Sequence, residues 1–204
     1  MFKLDRGSTH DLKDAEDFVS LINTIDQHPL EEARDMFAPD RPIVVARAPG
    51  RLDVMGGFAD YSGSLVLQMP TREASLAALQ KIDRREIRIV SLGHEANDRD
   101  PFFITALDEL EEHGKPITYA AARTKFADVE TQQWAAYIAG AFLVLMREKG
   151  ARFEQGATIL LDSAVPEGKG VSSSAAIEVS AMQAVAAAYD IALEAREMAI
   201  LCQK

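Results

Sequence analysis

The segment that most restricts the fold is GATILLDSAVPEGKGVSSSAAIEVSAMQAVAAAY, Gly156 to Tyr189. Its first third is an apolar run of strand length, and its last half is an Ala-rich run free of Gly and Pro. Between them lies Pro166-Glu167-Gly168-Lys169-Gly170, followed by Ser172, Ser173 and Ser174. This order predicts a buried strand, a glycine loop and a helix from about Ser174 to Tyr189. The first turn of a helix leaves about four backbone N–H groups without intrahelical partners, and the macrodipole adds partial positive charge there. Glycines let the backbone approach a ligand closely. Strand, glycine loop and helix start together therefore form an arrangement that presents N–H donors to an anion.

The three serines can cap the helix, hydrogen-bond phosphate oxygens, or offer a hydroxyl to Mg²⁺. A serine cluster chosen for close helix packing is the plainer reading. Two glycines and three serines directly after a buried strand favour phosphate binding over it. The spacing is neither the G-x-x-x-x-G-K-[ST] loop nor the dinucleotide G-x-G-x-x-G pattern. Glu178, one turn into the helix, reads as a solvated carboxylate, with a metal contact as the less favoured role.

A second constellation is RAPGRLDVMGGFADYSGSLVLQMP, Arg47 to Pro70. It gathers Arg47, Arg51, Asp53 and Asp60 around Gly50, Gly56, Gly57 and Gly63 in an otherwise apolar stretch. Arginine suits bidentate capture of phosphate, and aspartate accepts hydrogen bonds from sugar hydroxyls. An aspartate in a glycine-rich turn can also be a turn residue alone.

Elsewhere the chain predicts a polar leader over residues 1–40, with helical spacing at Phe18, Leu21, Ile22 and Ile25. A short strand follows at Ile43 to Ala46, ended by Pro49 and Gly50; LDVMGG and SLVLQM are further strand candidates. ASLAALQKI, EIRIVSLG and FFITAL suit strands of a mixed or antiparallel sheet. Helices are expected from Thr131 to Lys149, stopped by Gly150, and from Leu193 to Gln203. The chain closes on EAREMAILCQK without a C-cap glycine, which fits a truncated helix or a frayed terminal one.

Of the 204 residues, 22 are Lys or Arg and 32 Asp or Glu, a formal net charge of −10 that disfavours a nucleic-acid partner. Local phosphate binding by backbone N–H groups is untouched by that balance. No apolar run approaches the roughly 18 residues of a membrane span. Cys202 is the single cysteine, which suits a reducing, cytoplasmic setting. The four histidines, His10, His28, His94 and His113, have no metal-ligand spacing.

The two glycine-rich segments together resemble the GHMP kinases, the superfamily of galactokinase, homoserine kinase and mevalonate kinase. The motif P-x-G-x-G-L-S-S-S-A is matched at Pro166, Gly168, Gly170, Ser172, Ser173, Ser174 and Ala175, with Val171 for leucine. The signature G-R-x-N-L-I-G-E-H-x-D-Y is matched at Gly50, Arg51, Gly56, Asp60 and Tyr61, and WAAYIAGAFLVL resembles the galactokinase helix that begins W-x-x-Y.

The resemblance covers about residues 40–204. It implies an α+β fold like the second domain of ribosomal protein S5, with a mixed or antiparallel sheet, helices on one side, and a C-terminal domain missing. It divides the chain into a helical leader, 1–40, and an ATP- and sugar-binding domain, 41–204. ATP would contact Pro166, Gly168, Lys169, Gly170, Val171, Ser172, Ser173, Ser174 and Ala175, with Ser173 on Mg²⁺. Arg51 would be catalytic, near the transferred phosphate. Asp53, Gly57, Phe58, Asp60 and Tyr61 would contact a monosaccharide.

Asp53 replaces the signature's asparagine, and Gly57-Phe58 replaces its Glu-His pair. A Gly-Gly pair there is similar to the arabinokinases. L-arabinose resembles galactose without its exocyclic CH₂OH, so Phe58 is expected to fill part of the freed space. The catalytic aspartate, a metal-binding glutamate and a third glycine-rich motif are expected beyond Lys204. The implied activity is an ATP-dependent sugar 1-kinase of galactokinase or L-arabinokinase type, weak or inactive in these 204 residues alone. A non-catalytic sugar or nucleotide sensor is the alternative. A kinase of non-sugar alcohols such as homoserine is disfavoured by Asp60-Tyr61, a pair of the sugar branch.

Overall fold

In the computed structural model, residues 1–57, 59, 63–92, 100–127 and 130–204 are described. Five strands form the main sheet: β1 (Val44–Met55), β2 (Leu67–Ile82), β3 (Glu86–Ser91), β4 (Phe102–Ala106) and, after a two-residue hairpin β5 (Glu111–Glu112) and β6 (Lys115–Pro116), β7 (Gly156–Ser163). Their order is β1-β2-β7-β3-β4. Only β3 and β7 run parallel, while the other neighbours are antiparallel, so the sheet is mixed, one of the two arrangements expected. The central strands are apolar on both faces because both faces are covered.

Ala77, Leu79, Ile87, Ile89, Ile159 and Leu161 face one core, which is closed by α4 (Ala136–Lys149) and α5 (Ser173–Ala188). The two long helices lie on one side of the sheet, as anticipated. The alternate residues Leu76, Ala78, Val90 and Leu160 face the other way, onto the leader. There α1 (Lys13–Asn23), a 3₁₀ turn (Ile25–Gln27) and α2 (Glu31–Arg34) bury Phe18, Ile22, Ile25 and Ala33, with Met36 just after α2.

Polar groups in this second layer are paired. The Gln80 amide accepts from Ala38 N at 2.7 Å and donates to the carbonyls of Ala38 and Arg41, each at 2.9 Å. Thr158 Oγ1 donates to the Met36 carbonyl at 2.9 Å. Arg47 reaches across to Asp14 at 2.7 Å.

Two expected strand boundaries are corrected. β1 does not end at Pro49 and Gly50 but continues to Met55, and SLVLQM joins ASLAALQKI in one strand through Pro70. The reason lies in the ladder. β7 joins β2 only from Ser75 onward, so residues 49–55 and 67–74 form a two-stranded ribbon with no third strand on either edge. A proline on such an edge removes no required hydrogen bond, and the register slips between Pro49 and Arg51.

The helix expected from Thr131 begins instead as a 3₁₀ segment, Glu130–Ala135, and becomes α-helical at Ala136. It stops at Gly150 in the left-handed conformation, φ 65°, with Ala151 N donating to the Leu145 carbonyl at 3.2 Å. α3 (Tyr119–Ala127) has no counterpart in the sequence reading, and α6 (Ala195–Leu201) lies inside the range expected for the last helix. At the far end of α5, Tyr189 packs edge-on against Phe142 and Phe153, and its hydroxyl donates to the Gly156 carbonyl at 2.8 Å. This fixes the far end of α5 to the start of β7, at the ends opposite the glycine loop.

Candidate functional site

The glycine loop leaves the sheet at Ala164, whose N–H donates to the Ala74 carbonyl at 3.0 Å, and anchors on the buried side chain of Val165. Pro166 to Gly170 then stand exposed, Lys169 among them. Gly168 and Gly170 adopt φ +67° and +72°. Ser172 follows in the same left-handed region, φ 60° and ψ 46°, at the N-cap of α5, yet its hydroxyl makes no capping hydrogen bond. That conformation costs a non-glycine residue on the order of 1–2 kcal/mol. It turns the chain so that α5 starts at Ser173, with Ala176 N donating to the Ser172 carbonyl at 3.0 Å. The N–H groups of Ser173, Ser174 and Ala175 have no backbone partner among the described residues. A strained, uncapped helix start with unused donors fits an anion such as a phosphate.

The second motif touches this loop directly. Arg51 N donates to the Val171 carbonyl at 2.9 Å. At Gly50, a Cβ would fall 2.8 Å from Thr71 Oγ1 and from Val165 Cγ1, and 2.9 Å from the Val171 carbonyl oxygen. Only a residue without Cβ lets ribbon and loop approach this closely. Two segments about 120 residues apart in the chain (Arg51 and Val171) are thereby joined.

Arg51 and Asp53 project from the same face of β1, about two-fifths exposed (44% and 39%), with Arg51 Nε 3.9 Å from Asp53 Oδ1. Gly57 lies beside them; a Cβ there would sit 3.5 Å from Asp53 Oδ2. Phe58, Asp60 and Tyr61 lie outside the described residues. Arg47, grouped with Arg51 in the sequence, is not part of this face. Its guanidinium binds Asp14 and donates to the Arg72 carbonyl at 2.8 Å, so it fastens the leader. Burial alone would raise the Asp14 carboxyl pKa, but the hydrogen bond and charge of Arg47 outweigh it and hold it below its ordinary value.

Sequence reasoning missed Gln68. Its Nε2 donates to Asp53 Oδ1 at 2.8 Å from the directly opposing position on β2. The signal was the ribbon register, which the assumed strand break at Pro49 concealed.

Glu178 is not the solvated carboxylate expected. It lies partly buried in a cleft of about 70 Å³ with Tyr137, Gly140, Met182, Leu201 and Cys202, and burial pushes its pKa up to about 7. Burial, and secondarily the charge of Glu178, raise the Cys202 thiol to about 11. No group of three or more His, Cys, Asp or Glu able to hold a metal occurs among the described residues.

The N-terminal domain of GHMP kinases matches residues 136–204, and the galactose-binding signature of galactokinases matches residues 34–81. An L-arabinokinase of Arabidopsis thaliana is 49% identical over 193 residues, covering 84% of this chain and 19% of that protein. A galactokinase of Chloroflexus aggregans is 34% identical over 164 residues, covering 79% of this chain and 36% of that one. The chain thus spans well under half the length of these relatives.

Among solved structures, Lactococcus lactis galactokinase complexed with galactose superposes with a TM-score of 0.70 at 19% identity, over 92% of this chain and 41% of that one. Methanococcus jannaschii mevalonate kinase superposes with a TM-score of 0.60 at 20% identity, over 81% and 46%. At such identities the structural likeness concerns the fold. The matched segments are the two that meet at Gly50 and Val171. The chain is a homologue of L-arabinokinase and galactokinase, sugar kinases of the GHMP superfamily, and carries the N-terminal domain of that superfamily.

Proposed function

We propose that this chain supplies the ATP- and sugar-binding part, residues 41–204 behind the helical leader 1–40, of an ATP-dependent sugar 1-kinase acting on galactose or L-arabinose. The observation that carries this reading is the bond from Arg51 N to the Val171 carbonyl. It sets an uncapped helix start, suited to ATP phosphates, beside an Arg51–Asp53 face suited to a phosphate in transfer and a polyol. The relative named L-arabinokinase, at 49% identity, favours a pentose.

In this reading the N–H groups of Ser173, Ser174 and Ala175 bind phosphate oxygens, with Pro166, Gly168, Lys169, Gly170, Val171 and Ser172 wrapping the same phosphates. The Ser173 hydroxyl would hold Mg²⁺. One serine, with no acidic cluster among the described residues, would suit an ion held mainly by the nucleotide and water. When bound, Mg²⁺ neutralises charge on the phosphates. Arg51 offsets the charge that develops on the γ-phosphoryl oxygens as the anomeric O–P bond forms and the bond to ADP breaks. Asp53, Gly57, Phe58, Asp60 and Tyr61 orient the sugar, and its hydroxyl proton passes to a base that the family resemblance puts beyond Lys204. A cytoplasmic setting belongs to the same proposal, supported by the single, half-buried Cys202.

The test is coupled ADP release by the complete gene product, with L-arabinose, galactose and other aldoses offered in turn. Turnover with L-arabinose or galactose is the expected result. Saturable Mg·ATP binding with no turnover on any sugar would make the protein a sensor instead.

A further inference from the structure

We propose that Gln68 is a positioning residue that aims Asp53 at the acceptor sugar; this rests on the sugar-kinase reading above. The two residues are opposed across β1 and β2, so the ladder itself sets their spacing. The Gln68 amide donates to Asp53 Oδ1 at 2.8 Å, and Arg51 Nε stands 3.9 Å from that same oxygen. One hydrogen bond, from Gln68, therefore holds this edge of the carboxylate, and the Arg51 guanidinium adds only a longer-range charge. The other oxygen, Oδ2, receives no hydrogen bond from the described residues and looks onto Gly57.

A Cβ at Gly57 would already be in van der Waals contact with Oδ2 at 3.5 Å, and any longer side chain would cover it. Gln68 and Gly57 thus act on opposite edges of one group. The first fixes its rotation, and the second places no side chain of its own over the other edge. The terminal torsion of an aspartate is broad and two-fold, so an unheld carboxylate on a half-exposed ribbon would sample many orientations. An oriented carboxylate oxygen that receives no hydrogen bond from the described residues is an acceptor for a neutral hydroxyl donor, which is what a sugar offers. Gln68 lies within the segment matched to the galactose-binding signature, yet it is not among the residues that match the G-R-x-N-L-I-G-E-H-x-D-Y pattern.

Sugar affinity, measured by isothermal titration of the complete gene product with L-arabinose and with galactose, tests this. The proteins are the unsubstituted one, Gln68→Leu, Asp53→Ala and the double variant, with Mg·ATP titrated separately into each. Gln68→Leu should weaken the preferred sugar about tenfold, equivalent to roughly 1.4 kcal/mol, and leave Mg·ATP affinity within about twofold. The double variant should bind sugar no more weakly than Asp53→Ala, because Gln68 acts only through Asp53.

Unchanged sugar affinity in Gln68→Leu overturns the proposal. So does a double variant whose loss is the product of the two single losses. Mg·ATP weakened in parallel with sugar reveals a structural role for the pair and also overturns it. If the unsubstituted protein binds neither sugar, the kinase reading falls and this assignment with it, a result distinct from the other three.

Discussion

Gly50 shows how one residue without a side chain sets the geometry of a site built by others. Its position is surrounded at 2.8–2.9 Å by Thr71, Val165 and the Val171 backbone. A methyl there cannot be accommodated by moving only a flexible side-chain tip, since one neighbour is a carbonyl oxygen. Gly50→Ala should push the loop carrying Val171 away from Arg51. Overpacking of this kind typically costs about 1–3 kcal/mol. Mg·ATP affinity should drop at least tenfold by isothermal titration, with urea unfolding showing the accompanying loss of stability; unchanged affinity would mean that the junction does not shape the loop. The sequence displayed Gly50 as a turn glycine. Its actual role, contact with a segment about 120 residues away, has no local signal.

At the scale of elements, α5 carries two different tasks on two flanks. Ala176, Ile177, Ala181, Ala184 and Val185 are buried against the rest of the fold. Glu178 and Met182 turn toward α4 and α6. Glu178 therefore ionises against the fold. Its carboxyl has an ordinary value of 4.5 and a folded value of about 7, raised by burial. Below pH 4.5 both states hold the proton and no penalty arises. Between 4.5 and 7 the unfolded chain ionises first, and stability falls as pH rises, reaching its full loss above 7. Glu178→Gln should therefore stabilise the chain by roughly 1–2 kcal/mol at pH 8 and by little at pH 4. Urea unfolding at both pH values decides this, and an equal effect at the two would remove ionisation as the cause.

The same scale explains which elements the sequence exposed. α4 announced its end through basic residues and Gly150, and α1 through Phe18 and Ile22 at helical spacing. α3 did neither: YAAARTKFA has no apolar stripe and buries only Ala122, so nothing periodic marks it. The prolines at 49 and 70 read as breaks because, in most strands, they would be. Only the pairing of the ribbon shows that no third strand lies on their edges.

At the scale of the whole molecule, the sheet serves two cores at once. The leader is wedded to it through Phe18, Ile22 and Met36, through Gln80 and Thr158, and through the Arg47–Asp14 pair. Trp134, the single tryptophan, lies in the opposite core. If both layers fold as one cooperative unit, damage to the leader must be felt at Trp134. Phe18, 2% exposed, provides the test. Phe18→Ala should cost about 3–5 kcal/mol and shift the Trp134 fluorescence transition and the far-UV circular dichroism transition together. A fluorescence transition that stays in place while the leader melts would show two independent units.

Local sequence was enough to specify the strand, loop and helix of residues 156–189, a sheet either mixed or antiparallel, and the family resemblance carried by its two glycine-rich motifs. These are local properties: side-chain periodicity, residues that permit left-handed backbone, and hydroxyls at a helix start all act within a few positions. Tertiary structure alone decided that Arg51 stands against Val171, that Arg47 serves the leader, that Gln68 holds Asp53 and that Glu178 is buried. Each depends on which strand pairs with which, in what register, and on which side of the sheet a helix lands. Those choices are made by burying two apolar faces together, and no short stretch of chain contains both faces.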